Sequence, residues 1–362
     1  MILVGDIGGT STRLAAFEIR DSRLIVAAEE TFPSCRYDGL EEIAAAFVGR
    51  RKLDINCACF GIAGPVLNGC VKTPNLAWTV EAAVLARTLG LPEVSLINDL
   101  EANAYGVAAL QPNEFFVLNA GATCPTGNIA VISAGTGLGE AGLYWDGNEH
   151  RPFACEGGHA DFAPRTDLET EMLTWLRAKF GRVSCERVLS GPGLVNIYQF
   201  LCSAGKGKPD ANIAAEMARR DPSAVISRAA LADSDPLCVQ ALDLFVGFYG
   251  AEAGNLALKM MSTGGIYIGG GIAPKILEKL KGSIFMDAFL DKGRMRPLLE
   301  AMPVRVIMNE NTALLGAARC AALTTWNRHL SCCSTTLEEP SEPQTKRPIR
   351  LNREMTLQLV RQ

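Results

Sequence analysis

At 362 residues the chain exceeds what one compact core accommodates, and two domains are expected. Hydrophobic residues at 48% and charged residues at 20% exclude a disordered chain, and a net charge of −4 without a long Lys/Arg block leaves no footprint for nucleic acid or an anionic membrane. No apolar run approaches the ~20 residues that span a bilayer. The twelve cysteines form no CxxC pair, and a strand carrying Asp6 stands where a secretory signal would place a basic start and an apolar core; reduced thiols, a cytoplasmic setting and small-molecule partners are expected.

Residues 2–7 read as a strand, Gly8-Gly9 as a tight turn and residues 12–17 as a second, alternating strand, so GDIGGT is a hairpin tip. Its glycines let backbone N–H groups approach an anion and Thr10 adds a hydroxyl donor, which suits phosphate oxygens. Asp6, ending the first strand, is then available to a phosphate-bound Mg²⁺ through water. A helix around LEEIAAAFVGRR, the strand INCACFGIAG, a helix near VEAAVLARTLG and the strand VSLIN complete a mixed α/β domain over residues 1–112. In TPNLAW, Trp78 reads as a packed aromatic and Asn75 as either a turn cap or a ligand contact. Asp99 has two readings where VSLIN gives way to a helix: an N-cap, or, with Asn98 beside it, a carboxylate that accepts the proton of an attacking hydroxyl.

A second unit opens near Phe115, and NIAVISAGTGLGEAGLYWDG repeats the device of strand, glycine loop and strand; two copies point to two related lobes. Gly135, Thr136 and Gly137 repeat the Gly-Thr chemistry. In CEGGHADF, Glu156 and His159 flank a glycine pair, and a carboxylate with an imidazole can bind adjacent hydroxyls of a pyranose. Glu186 on its own reads as a solvated charge beside Arg187. Residues 211–255 have helical spacing. A third loop with Gly270 and Gly271 precedes an expected helix and suits a nucleoside or a helix-end phosphate contact. NENTALLGAARCAAL is a packing helix that makes the first domain discontinuous, adding about 303–325 to it and leaving 113–302 as the second domain; about 331–362 has the composition of a flexible tail. There is no GxxxxGK[ST], and neither early loop opens a helix as a dinucleotide fingerprint does.

Ten stretches in order carry a resemblance: GDIGGTSTRLA, FGIAGPV, TPNLAW, LINDLEANAYG, ISAGTGLGEAGL, EGGHADFAP, ERVLSGPGLVNIY, GGIYIGGGIAP, FLDKGRM and NENTALLGAA. From about residue 2 to 323 the chain resembles the bacterial-type glucokinases, in the hexokinase branch of the actin-like ATPase superfamily. The resemblance implies an α/β, two-lobed actin-like ATPase (ribonuclease H-like) fold with duplicated mixed-sheet domains around a central cleft. It implies ATP held by Asp6, Gly8, Gly9, Thr10, Gly135, Thr136, Gly137, Gly270 and Gly271, with Mg²⁺ near Asp6. It makes Asp99 the base for the sugar 6-hydroxyl and puts Asn98, Glu156, His159, Glu186 and Asn75 on the sugar. The reaction implied is ATP plus D-glucose giving ADP and D-glucose 6-phosphate, the entry step of glycolysis, in a homodimer. Ser11-Thr12 stands where the family often has Asn-Ala, and the Cys-rich motif of the related repressor/kinase family is missing, so no structural zinc is expected. Two alternatives stay open: a kinase of mannose, fructose or an N-acetylhexosamine, and a non-catalytic sugar- and ATP-binding regulator.

Overall fold

The computed structural model describes residues 1–334 apart from 22, 74–75 and 124, with side chains to residue 324. Asn75 and the expected tail from 335 onward therefore lie outside the described residues. The chain divides into two compact units, one of Met1–Leu110 with the chain from Asn311 onward, the other Gln111–Glu310.

In the first unit β1 (Ile2–Ile7), β2 (Ser11–Arg20), β3 (Arg23–Pro33) and β4 (Cys57–Ile62) precede a two-stranded ribbon of β5 (Cys70–Lys72) and β6 (Thr79–Glu81), and β7 (Ser95–Asn98) follows. The main sheet runs β3-β2-β1-β4-β7; β1 is antiparallel to β2 and parallel to β4, and β4 is parallel to β7. The two-residue period of β1 sends Leu3 and Ile7 into one cluster with Phe47 and Leu85, and Ile2 and Val4 into another with Ala313, Leu314 and Ala317. Helix Asp99–Val107 lies against helix Thr312–Ser334 with small residues at the crossing. A side chain on Gly106 would overlap the Thr312 carbonyl and one on Gly316 the Ala102 carbonyl. That late helix runs to Ser334, so residues 331–334 of the expected tail are helical.

The second unit contains β8 (Phe115–Asn119), β9 (Ile129–Ala134), β10 (Leu138–Trp145), β11 (His150–Cys155), β12 (Gly265–Gly269) and β13 (Val304–Ile307), in the order β11-β10-β9-β12-β13-β8. Its first five strands repeat the plan of the first unit: β9 is antiparallel to β10 and parallel to β12, which is parallel to β13. β8, antiparallel to β13, is the addition. Because Val304 and Val306 pair with Ile266 and Ile268, this unit extends through β13 to Glu310, past the expected boundary near 302. The helical stretch 211–255 resolves into Ala211–Met217, Pro222–Leu231 and the longer Pro236–Met260. Asp221 and Asp235 cap the last two, each followed by a proline whose missing N–H costs nothing at a helix start. Among the described residues no helix is long and apolar enough to cross a membrane.

Candidate active site

In the first unit the register aligns Ile7 with Ile62 and Ile62 with Asn98, so the glycine hairpin and Asp99 lie at the same carboxyl-terminal edge of three parallel strands. This is where open α/β sheets bind ligands. Gly8 N–H bonds Ser11 O at 3.0 Å to close the hairpin turn. Ser34 braces it from behind, donating its hydroxyl to Gly8 O at 2.9 Å and its N–H to Thr10 O at 3.1 Å, and sharing a 3.0 Å bond with the buried Thr12 hydroxyl. The Ser11-Thr12 departure thus has a physical account, since Thr12 secures the brace. Gly9 and Thr10 form the tip, with Thr10 exposed.

Asp6 is opposite Arg13 in the β1–β2 register. Burial raises its carboxyl pKa and the Arg13 guanidinium offsets this. Arg13 is itself held by Glu29 at 2.8 Å and Asn311 at 2.5 Å. The cap of the following helix is Asn98 and not Asp99: Asn98 Oδ1 accepts from Leu100 N–H at 2.8 Å and Glu101 N–H at 3.4 Å, and its amide donates to Gly64 O at 3.2 Å. Asp99 is the first helical residue, half-buried, with Oδ1 accepting from Leu100 N–H at 2.9 Å. Trp78 is buried, its indole N–H on Tyr37 O at 3.1 Å.

The second unit gathers its candidates around Leu138. The Gly135 N–H bonds Gly137 O at 2.8 Å, and Gly135 O accepts from Gly191 N–H at 2.8 Å. Thr136 is exposed at the tip. Glu186 reaches this loop with Oε2 on Leu138 N–H at 3.0 Å, and a Cβ on Gly137 would come within 2.5 Å of that oxygen. Glu186 is therefore a half-buried, bonded group and not a solvated charge. On the other side of Leu138, a side chain on Gly158 would overlap its carbonyl, and one on Gly157 would overlap the Glu140 carboxyl. The glycine pair of CEGGHADF is what lets the 3₁₀ turn Gly157–His159 lie down on β10, leaving Glu156 and His159 exposed at its two ends. Arg182 ties the turn down through His159 O at 2.7 Å.

The third glycine loop is fastened to the second. Ile272 N–H bonds Ala134 O at 3.3 Å, Gly270 takes φ +81° against Ala134, and the buried Tyr249 hydroxyl accepts from Ala134 N–H at 3.1 Å while donating to Gly269 O at 3.1 Å. The expected helix after this loop is a 3₁₀ turn, Ala273–Ile276, and a four-residue helix, too short for a helix-end anion site. Gly135 and Gly271 stand apart: neither has positive φ, and a Cβ on either would meet nothing within 4 Å. Neither packing nor backbone conformation requires glycine there.

Sequence reasoning missed Ser34, Arg13, Tyr249 and Glu140. Only Glu140 carried a signal, being the one charged residue in the otherwise apolar run LGEAGLYW.

One strand plan used twice, each copy carrying a glycine hairpin between its first two strands, defines a protein of the actin-like ATPase fold. The sequence model of the family described as Glucokinase matches residues 3–324. The glucokinase of Nostoc sp. is 46% identical over 338 residues, covering 89% of this chain and 99% of its own, and that of Synechocystis sp. is 42% identical over 345 residues, covering 88% and 97%. Among solved structures, a glucokinase from an Antarctic psychrotroph is similar with a TM-score of 0.75 at 32% identity, over 89% of this chain and 98% of its own. A ROK-family glucokinase from Streptomyces griseus, solved with glucose and AMPPNP, shares the fold at a TM-score of 0.62 and 23% identity, over 89% and 99%. The chain belongs to the glucokinase family.

Proposed function

We propose that this chain transfers the γ-phosphoryl group of ATP to the 6-hydroxyl of D-glucose, giving D-glucose 6-phosphate and ADP. The observation that carries the reading is 46% identity to a curated glucokinase across 99% of that protein's length. Asp99 takes the proton of the attacking hydroxyl, and its place at the start of a helix capped by Asn98 fixes the carboxylate against its backbone. Asn98, with one amide N–H beyond its bond to Gly64, and Glu156, His159 and Glu186 bind the sugar hydroxyls; the same role for Asn75 comes from the resemblance alone. Gly8, Gly9, Thr10, Gly135, Thr136, Gly137, Gly270 and Gly271 hold ATP, the glycines by letting the nucleotide approach the backbone closely and Thr10 and Thr136 through exposed hydroxyls. The open space over Gly135 and Gly271, both in glycine loops, supports this, because a loop without side chains there lets a ligand approach the backbone closely.

Mg²⁺ suits an all-oxygen environment in which Asp6 contributes one carboxylate through water and the nucleotide the rest. When bound with ATP, the ion would neutralise charge on the transferring phosphoryl group. We read the protein as a cytoplasmic homodimer of two domains, the first discontinuous, acting at the entry to glycolysis. The test is ADP release with MgATP across a panel of hexoses, for the wild type and Asp99→Asn. Glucose-dependent turnover falling by roughly 10²-fold or more in the variant, with glucose binding retained, is expected. Glucose binding without turnover in the wild type would make the chain a regulator, and turnover with another hexose alone would replace the substrate.

A further inference from the structure

We propose that Glu140 is a positioning residue for glucose: as an uncharged carboxylic acid it forms the floor on which the turn carrying Glu156 and His159 rests. The inference rests on reading those two residues as sugar ligands.

Glu140 lies on β10 opposite Cys155, the last residue of β11 before the turn, and only 1% of its surface is exposed. Gly157 sits directly on its Oε2, where any side chain would collide, so the turn and the carboxyl fit only because residue 157 is glycine. Oε1 is buried with no hydrogen-bond partner. An ionised oxygen there would need a donor that the surroundings do not supply.

The groups facing it reinforce this. Cys155 comes from β11, Cys185 from the neighbouring 3₁₀ turn, and Glu252 and Lys259 from helix Pro236–Met260, with Glu156 of the turn beside Cys155. Glu252 is the larger influence of the two charges, itself bonded by Asn255 at 2.9 Å and paired with Lys259 at 3.5 Å. Burial first and Glu252 second push the Glu140 carboxyl up to about 7, with Lys259 opposing. Loss of the proton places a charge beneath the turn, and the charge is relieved only by admitting water, which requires Gly157 to lift. Lifting it separates Glu156 from His159, so the protonated form is the one that binds sugar tightly.

Proton linkage sets the size of the effect. If only the protonated form binds, affinity weakens by a factor of 1 plus 10 raised to pH minus pKa, about tenfold between pH 6 and pH 8. Calorimetric glucose binding without nucleotide, at pH 6, 7 and 8, removes the titration of ATP from the measurement. The wild type is expected to lose about tenfold in affinity, and Glu140→Gln, neutral at every pH and of nearly the same shape, to hold the wild-type pH 6 value throughout. Glu140→Met serves as the neutral comparison if the glutamine variant does not fold. A flat wild-type profile, or the same slope surviving in the neutral variants, overturns the inference while leaving the kinase reading intact. No glucose binding at any pH overturns both.

Discussion

Tyr249→Phe removes a single oxygen from the middle of the second unit. The ring keeps its edge contacts with Phe245 and Phe285, whose centroids lie 6.1 and 6.0 Å away, so the loss is confined to hydrogen bonding. What disappears is the group joining the Ala134 N–H to the Gly269 carbonyl, both at 3.1 Å. These sit at the ends of β9 and β12 just where two glycine loops begin. Each backbone group left unpaired in a fully buried place costs about 1–3 kcal/mol, and some relaxation is available to each, so a loss of about 3 kcal/mol is expected. For a unit of this size that corresponds to about 6–12 °C in Tm. Denaturant unfolding measures the loss, and steady-state kinetics should show KM for MgATP rising with KM for glucose little changed, because the loosened loops are those assigned to phosphate. A variant within about 0.5 kcal/mol of wild type, with unaltered KM for MgATP, would refute the idea that this hydroxyl holds the two loops in register.

Gly135→Ala and Gly271→Ala should melt with the wild type, having free space for the methyl group, yet raise KM for MgATP several-fold; unchanged kinetics would remove these glycines from the nucleotide site. Gly158→Ala has no such space against Leu138 and should lower both Tm and glucose affinity. Ser34→Ala takes away the brace on Gly8 and should cost about 1–2 kcal/mol in denaturant unfolding and weaken MgATP binding, with glucose binding as the control. The pH dependence of stability follows from Glu140: its folded carboxyl titrates near 7 instead of 4.5, so the native state holds the proton longer than the unfolded chain. Stability is fully present below about pH 4.5 and is lost as pH rises through 7, by about 3 kcal/mol in all. Glu140→Gln should gain on the wild type by that amount over the same window, and parallel pH profiles would contradict it.

The glycine hairpins were legible because their signal is local: a two-residue period broken by Gly-Gly or Gly-Thr-Gly and then resumed. Asn98 and Asp99 show the limit. Either could cap the helix by residue type, and only the backbone position of Asn98 at the end of β7 decides between them. The expected boundary near 302 leaves β13 with the first domain, whereas its pairing with β12, far away in sequence, joins it to the second unit; a short apolar run does not say which sheet it enters. Tyr249, whose bonds reach Ala134 and Gly269, and Ser34, which serves a turn 26 residues earlier, act through tertiary contacts that no local pattern announces.

The order of synthesis matters for a chain of this topology. Ile2 and Val4 are covered by Ala313, Leu314 and Ala317, which follow them in the chain only after the whole second unit. At roughly 5–20 residues per second a ribosome needs about 10–40 s to travel from Leu110 to Asn311. Through that interval the nascent first unit has an uncovered apolar sheet face, while the contiguous second unit can complete its own core. Helix Asp99–Val107, which meets helix Thr312–Ser334 at Gly106 and Gly316, acquires its final surroundings only when that late helix arrives, so a truncated or stalled product keeps the apolar sheet face of its first unit open to water and to other sticky sheets.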